Sequence, residues 1–246
     1  MNAQQPTEDA GSFIDSTPLA EKSPRHVIVF PGGGYAGYAE NEAEPIAEWL
    51  RQFGLSASVF RYPVRERHPT PVDAVQSEVR RIRASGIERV ALMGFSAGGH
   101  VAGHAALAAG ASGSERVDAV ILGYPVVSME LDTDPGSRRE LLGPTPRTED
   151  RLATSLDRLV TEAAPPFFIW HTADDSSVTV EHAYLLAQAL ARHGVSHALH
   201  VFSTGRHGLG LAQGRGEPEA WPALCAAWLS SRGWLDGLHA PDAAGA

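Results

Sequence analysis

The sequence predicts a single α/β domain, a mainly parallel central sheet flanked by helices. Three observations carry that expectation. Short β-branched apolar runs alternate with longer segments whose apolar residues recur every three or four positions, the pattern of strand–helix–strand units. The length of 246 residues suits one domain of this class better than two. Hydrophobic residues make up 43% of the chain, enough to bury a core without covalent staples, and the lone Cys225 rules out an intrachain disulfide.

Residues 1–24 are polar and aperiodic and read as a flexible arm. The domain itself is expected over 25–236, with an Ala/Gly/Pro-rich flexible tail at 237–246. His26 to Phe30 is a short apolar run ended by Pro31-Gly32-Gly33-Gly34, which suits a buried strand entering a loop. Over 43–53, Ile46, Ala47, Trp49, Leu50 and Phe53 fall at helical spacing, and Gly54 closes the helix. Leu55 to Tyr62 reads as the next strand, and Val72 to Ala84 as a helix with Gly86 behind it. Arg89 to Met93 is a strand that runs into Gly94-Phe95-Ser96-Ala97-Gly98-Gly99, and an Ala-rich helix follows to about Ala109.

Asp118 to Leu122 and Pro166 to Trp170 are further strands, residues 180–192 a helix, and His197 to Phe202 the last strand. Glu219 to Ser231 closes as an amphipathic helix. One stretch breaks the alternation. Residues 124–165, rich in Pro, Asp, Arg and Ser, read as a small insertion over the carboxyl edge of the sheet, where ligands bind in such folds.

Twenty basic against twenty-nine acidic side chains give a net charge of −9. That balance disfavours a nucleic-acid or anionic-membrane partner, which would require a positive footprint. No apolar run is long enough to span a bilayer. The first 26 residues lack a basic start followed by an apolar stretch, so a cytoplasmic protein is expected.

The chemistry concentrates in Gly94-Phe95-Ser96-Ala97-Gly98, which matches G-x-S-x-G between a strand and a helix. Small residues are needed there because the serine sits on a sharp turn against closely packed backbone, with its hydroxyl out of the sheet and a helix N-terminus behind it. Ser96 is therefore the candidate nucleophile. The consecutive glycines after the first strand let backbone N–H groups approach a substrate oxygen, so Gly33 and Gly34, with Ala97 after the nucleophile, are the expected oxyanion donors. His207, just after the last strand, is the candidate base, since the chain order serine, acid, histidine is the one this arrangement uses. For the acid, Asp174 and Asp175 stand side by side after the strand ending at Trp170-His171. Asp175, three before Val178, is favoured, with Asp174 left to cap or brace the loop.

Together these segments resemble α/β-hydrolase serine esterases of the acetyl-xylan-esterase-like and hormone-sensitive-lipase-like group. The resemblance covers roughly 26–233 and rests on several spaced motifs in order: Pro31-Gly-Gly-Gly-Tyr35, Glu42-Ala-Glu-Pro-Ile-Ala47, Gly94-Phe-Ser-Ala-Gly-Gly-His100, Gly123-Tyr-Pro-Val126, Ser137-Arg-Arg with Leu141-Leu-Gly143, Pro165-Pro-Phe-Phe-Ile-Trp-His-Thr-Ala-Asp-Asp175, and His207-Gly-Leu-Gly-Leu-Ala212. It implies the α/β-hydrolase fold, short-chain acyl esters as substrates, acetyl above all and those of small molecules or oligosaccharides, and Ser96, Asp175 and His207 as the triad. Two positions depart from the pattern. Pro31 stands where lipase-like relatives have the histidine of H-G-G-G, so that loop must be braced differently. Thr179 stands where the pattern after the acid loop often has proline.

The mechanism expected is an acyl-enzyme made and broken by the triad, with no cofactor. An amide- or peptide-bond hydrolase with the same triad, and a catalytically silent binding module of this fold, are the alternatives. Tyr35 and Tyr124 fall beside the expected mouth and are candidate substrate contacts. Arg138 in the insertion could bind a polar or anionic substrate group, or hold the insertion by a salt bridge. His100 and His104 have the spacing of a metal clamp but no third ligand, so no metal is expected and packed or hydrogen-bonded histidines are the reading. Cys225 falls on the apolar stripe of the last helix and reads as packing.

Overall fold

The computed structural model describes residues 23–108, 113–131 and 135–235. The arm and tail expected at the two ends lie, except for residues 23 and 24, outside the described residues. Six parallel strands form one sheet: β1 (Arg25–Phe30), β2 (Ser56–Val59), β3 (Arg89–Phe95), β4 (Ala119–Gly123), β5 (Phe167–Thr172) and β6 (His197–Phe202), in the order β2-β1-β3-β4-β5-β6. The helices between them are α1 (Glu44–Arg51), α2 (Thr70–Ala84), α3 (Ser96–Leu107) and α7 (Glu181–Arg192), with α8 (Trp221–Ser231) last.

Both faces of the sheet are covered, which is why the strands read as continuous apolar runs. Alternate residues serve opposite layers. Ile28, Phe30, Leu92, Leu122 and Ile169 pack with α2, α3 and α7. Val27, Val29, Met93, Ile121 and Trp170 pack with α1 and α8. On the second face Trp170 stacks on Trp221 at 5.1 Å between ring centroids and an interplanar angle of 11°. Cys225 is buried there too.

The expected elements are present, with shifted ends. β2 is shorter than the run from Leu55 to Tyr62, and the helix that begins at Ser96 stops at Leu107. The closing helix begins at Trp221, because Glu217–Ala220 winds as a 3-10 turn first. The insertion is more ordered than its composition implies. It holds three short helices, α4 (Pro135–Leu142), α5 (Thr148–Ala153) and α6 (Leu156–Leu159). Only its first part lies over the carboxyl edge, where the Ser137 hydroxyl approaches Gly34. Its last part descends onto the helix layer, and Leu156 fills the space left by Gly103 of α3. Among the described residues no helix is long and apolar enough to cross a membrane.

Two features of the topology set up a site. After β1 the chain runs outward to β2 and then returns to β3 on the other side, so the loops leaving β1 and β3 part at a crevice, the place where open α/β sheets bind ligands. The two halves of the chain also meet along one seam, with Val120 of β4 opposite Phe167 of β5 and Gly123 opposite Trp170.

Candidate active site

Ser96 stands at the junction of β3 and α3 with φ of +53°, a left-handed conformation that costs a non-glycine residue roughly 1–2 kcal/mol. The neighbouring glycines make that turn possible. A Cβ at Gly98 would lie 2.2 Å from the Phe30 carbonyl oxygen, and one at Gly94 would lie 2.3 Å from that of Gly98. The tight approach of α3 to β1 and β3 thus excludes any side chain at either position.

His207 Nε2 lies 2.8 Å from Ser96 Oγ, and His207 Nδ1 lies 2.6 Å from Asp175 Oδ2. The Asp175 side chain is fully buried, and its other oxygen accepts from the N–H groups of Ser177 at 2.9 Å and Val178 at 3.0 Å. Burial alone would raise its pKa. The His171 and His207 rings and the Val178 N–H outweigh that and hold the carboxyl well below the usual carboxylate range. The His171 ring lies 3.6 Å from Asp175 Oδ2, while its own hydrogen bond goes to the Val178 carbonyl at 2.9 Å. An ionised Asp175 can only accept, so the proton sits on His207 Nδ1 and leaves Nε2 free to receive the serine proton.

Asp174 takes a different part. Its Oδ1 accepts from the Gly205 N–H at 2.6 Å, while Thr172 Oγ1 donates to the Gly205 carbonyl at 2.7 Å. The loop carrying His207 is thereby tied from both sides to the end of β5. The adjacent carboxylates separate by direction: Asp175 faces the imidazole and Asp174 braces the loop.

Gly33 and Gly34 have φ of +132° and +64°. A Cβ at Gly33 would collide with the Gly37 carbonyl oxygen at 2.2 Å, which explains glycine in that turn. Among the described residues no acceptor takes the N–H of Gly33 or Gly34. The loop packs directly against Ser96, since a Cβ on Gly32 would lie 2.9 Å from the Ser96 Cβ. Ala97, buried, is the second residue of α3, where backbone donors have no partner within the helix.

The three residues expected at the substrate all have partners within the protein. Tyr35 is wholly buried, with its hydroxyl 2.6 Å from His100 Nδ1 and its ring edge-on to Tyr62, so it offers a ligand no surface. Tyr124 is buried as well. Its ring lies 4.9 Å from that of His207 at 66°, and its hydroxyl is used within the protein. Arg138 donates to the carbonyls of Met129 and Leu131, which ties the insertion to itself. His100 completes its bonding with the Thr154 carbonyl at 2.7 Å and so holds the insertion against α3.

One residue escaped the sequence reading of roles. Glu42 is buried, with Oε2 accepting from the Gly32 N–H and Oε1 from the Tyr124 hydroxyl, both at 2.8 Å. Nothing in its spacing marks it among the twenty-nine acids. The only signal was its place at the head of the quoted segment Glu42–Ala47.

A match to the prolyl oligopeptidase family covers residues 74–232. The chain is 36% identical over 206 residues to endo-1,4-beta-xylanase B of Butyrivibrio fibrisolvens, covering 76% of this chain and 32% of that protein. It is 28% identical over 202 residues to an acetylxylan esterase of Xylanibacter ruminicola, covering 77% of this chain and 42% of that one. The chain thus spans about a third to two-fifths of the length of the curated relatives it matches. Among solved structures, the acetyl ester-xyloside bifunctional hydrolase of Caldicellulosiruptor lactoaceticus superposes with a TM-score of 0.83 at 38% identity, over 88% of this chain and 86% of that one.

Proposed function

The chain belongs to the prolyl oligopeptidase family and has the α/β-hydrolase fold, and on that premise we propose that it is a serine carboxylesterase acting on short-chain acyl esters, acetyl esters foremost. The observation that carries this reading is the unbroken chain from Ser96 Oγ through His207 to Asp175, at 2.8 and 2.6 Å, beside a loop whose Gly33 and Gly34 donors find no acceptor among the described residues.

In this reading His207 Nε2 takes the Ser96 proton as Oγ attacks the ester carbonyl. Asp175 holds the ring and stabilises its positive charge, and the N–H groups of Gly33, Gly34 and Ala97 receive the developing oxyanion. The alcohol leaves with the proton from His207, and water repeats the sequence to release the acid. Every step is carried by the chain's own residues. The acetyl preference and a carbohydrate alcohol are supported by the relatives named for acetylxylan and acetyl ester-xyloside hydrolysis.

The family name supplies a second reading, in which the same triad cleaves an amide or peptide bond. Both are tested with para-nitrophenyl acetate beside the matched acetyl anilide and an acetylated xylo-oligosaccharide, on wild type and on Ser96→Ala with folding checked by circular dichroism. The ester reading expects turnover of the esters, negligible cleavage of the anilide, and a fall of roughly 10⁴-fold or more in the variant. Preference for the anilide would install the second reading, and equal activity of the two proteins would remove Ser96 from its role.

A further inference from the structure

We propose that Glu42 is a positioning residue for the Ser96–His207 pair, a buried carboxylate that joins the oxyanion loop to the histidine loop through Tyr124. The proposal rests on Ser96 being the nucleophile activated by His207.

Glu42 ends a short 3-10 turn, Glu40–Glu42, and is 1% exposed. Among the described residues neither lysine nor arginine forms an ion pair with it. A carboxylate taken out of water without a cation must be held by hydrogen bonds or it is strongly destabilising. Two donors converge on it, one per oxygen: the Gly32 N–H and the Tyr124 hydroxyl. Burial raises the Glu42 pKa, and these two bonds and the nearby His207 work against that rise.

Gly32 is the root of the loop that presents Gly33 and Gly34. The Tyr124 hydroxyl, besides donating to Glu42, accepts from the Gly210 N–H at 2.8 Å, three residues beyond His207. The Gly210 carbonyl is taken by Trp221 Nε1 at 2.9 Å, so this peptide is gripped from both sides. The neighbouring Asn41 donates its amide to the Gly208 carbonyl at 3.0 Å. Residues 41 and 42 together therefore hold the histidine loop at two points and the oxyanion loop at a third. Tyr124 has φ of +35° directly after β4, and that strained turn is what brings its ring against His207 while its hydroxyl reaches Glu42. Pro31 has no backbone N–H to donate, and the Glu42 carboxylate takes the donor one residue further on, at Gly32.

The test uses the full chain and a fluorophosphonate, which Ser96 attacks with loss of fluoride while the proton passes to His207. It reads the activated serine whether the natural substrate is an ester or an amide. Inactivation is resolved into a maximal rate and a half-saturating concentration for wild type, Glu42→Gln, Tyr124→Phe and the double variant, with ester turnover and thermal unfolding alongside. We expect each single variant to lower the maximal rate at least tenfold while the half-saturating concentration stays within threefold. The double variant should be no slower than the slower single one, because both lie on one chain of bonds. A folded Glu42→Gln labelled within twofold of wild type would overturn the proposal, as would a loss confined to the half-saturating concentration or a multiplicative double variant. If Glu42→Gln fails to fold, Tyr124→Phe decides, since it keeps the ring and removes only the hydroxyl. A wild type not labelled at Ser96 overturns the nucleophile and the brace together. A wild type labelled there but inert toward esters overturns the ester reading, and the labelling rates still judge the brace.

Discussion

Lowering the pH should unfold this protein in a window set by four buried histidines. Burial, aided by nearby positive charges and histidines, pushes His26 and His104 down from 6.5 to about 4, and His100 and His182 down to about 3. Their contacts show why. His182 Nδ1 accepts the N–H groups of Val127 at 2.8 Å and Ser128 at 3.1 Å, so a proton there breaks both. Because the folded values lie below the unfolded one, the unfolded chain binds more protons. Stability is therefore complete above pH 6.5 and is lost as the pH falls from there toward 4. The loss is about 1–1.5 kcal/mol per histidine near pH 5.5 and about 2 near pH 5. Four together remove roughly 5 and then roughly 8 kcal/mol, against a whole-domain stability on the order of 5–15 kcal/mol. Glu42 and Asp157, raised by burial, offset part of this. Asp175 adds to it only below the ordinary carboxylate range. The assay is urea unfolding followed by tryptophan fluorescence near pH 7.5, 6.5 and 5.5, on wild type and His182→Asn. The asparagine oxygen can accept the same two N–H groups and does not titrate, so the variant should lose about 1 kcal/mol of the drop between pH 6.5 and 5.5. A flat midpoint from pH 7.5 to 5.5, or equal slopes in the two proteins, would refute the reasoning.

Asp175→Asn should lower kcat by about 10⁴-fold through the wrong imidazole tautomer. Asp174→Asn, whose amide oxygen can still accept from Gly205, should stay within about tenfold; steady-state ester hydrolysis separates the two. Gly98→Ala places a methyl 2.2 Å from the Phe30 oxygen and 2.4 Å from that of Pro31, and should cost about 3 kcal/mol or more, read as a fall in the thermal midpoint by circular dichroism.

The strands and long helices were legible because burial on one or two faces leaves a periodic trace, as in Ile46, Ala47, Trp49 and Leu50 along α1. Ser96, Asp175 and His207 were legible for another reason: a sharp strand–helix turn needs glycines in sequence, and the partners must follow at the ends of later strands. The short helices of the insertion left no such trace, since α5 and α6 span six and four residues, too few to show a period. Tyr35 and Tyr124 show a further limit. Sequence places a residue beside the mouth of a site, but a positive φ at both turns their rings inward, onto His100 and His207. Glu42 was hidden for the opposite reason. Its meaning lies in partners ten residues away at Gly32 and 82 residues away at Tyr124, and only the folded sheet brings those together.

The seam between β4 and β5 has a consequence in time as well as in space. The proposed nucleophile and oxyanion donors come from the chain before that seam, and the proposed acid and base from the chain after it, with His207 following Ser96 by 111 positions. At a synthesis rate of about 5–20 residues per second, the serine leaves the ribosome roughly 5–20 seconds before its base exists. A nascent chain can therefore collapse its first strands around a Ser96 that has no proton acceptor and attacks nothing. With the proposed triad, reactivity waits until β5 and β6 dock, and a chain truncated before them would be a sticky half-sheet without an activated serine.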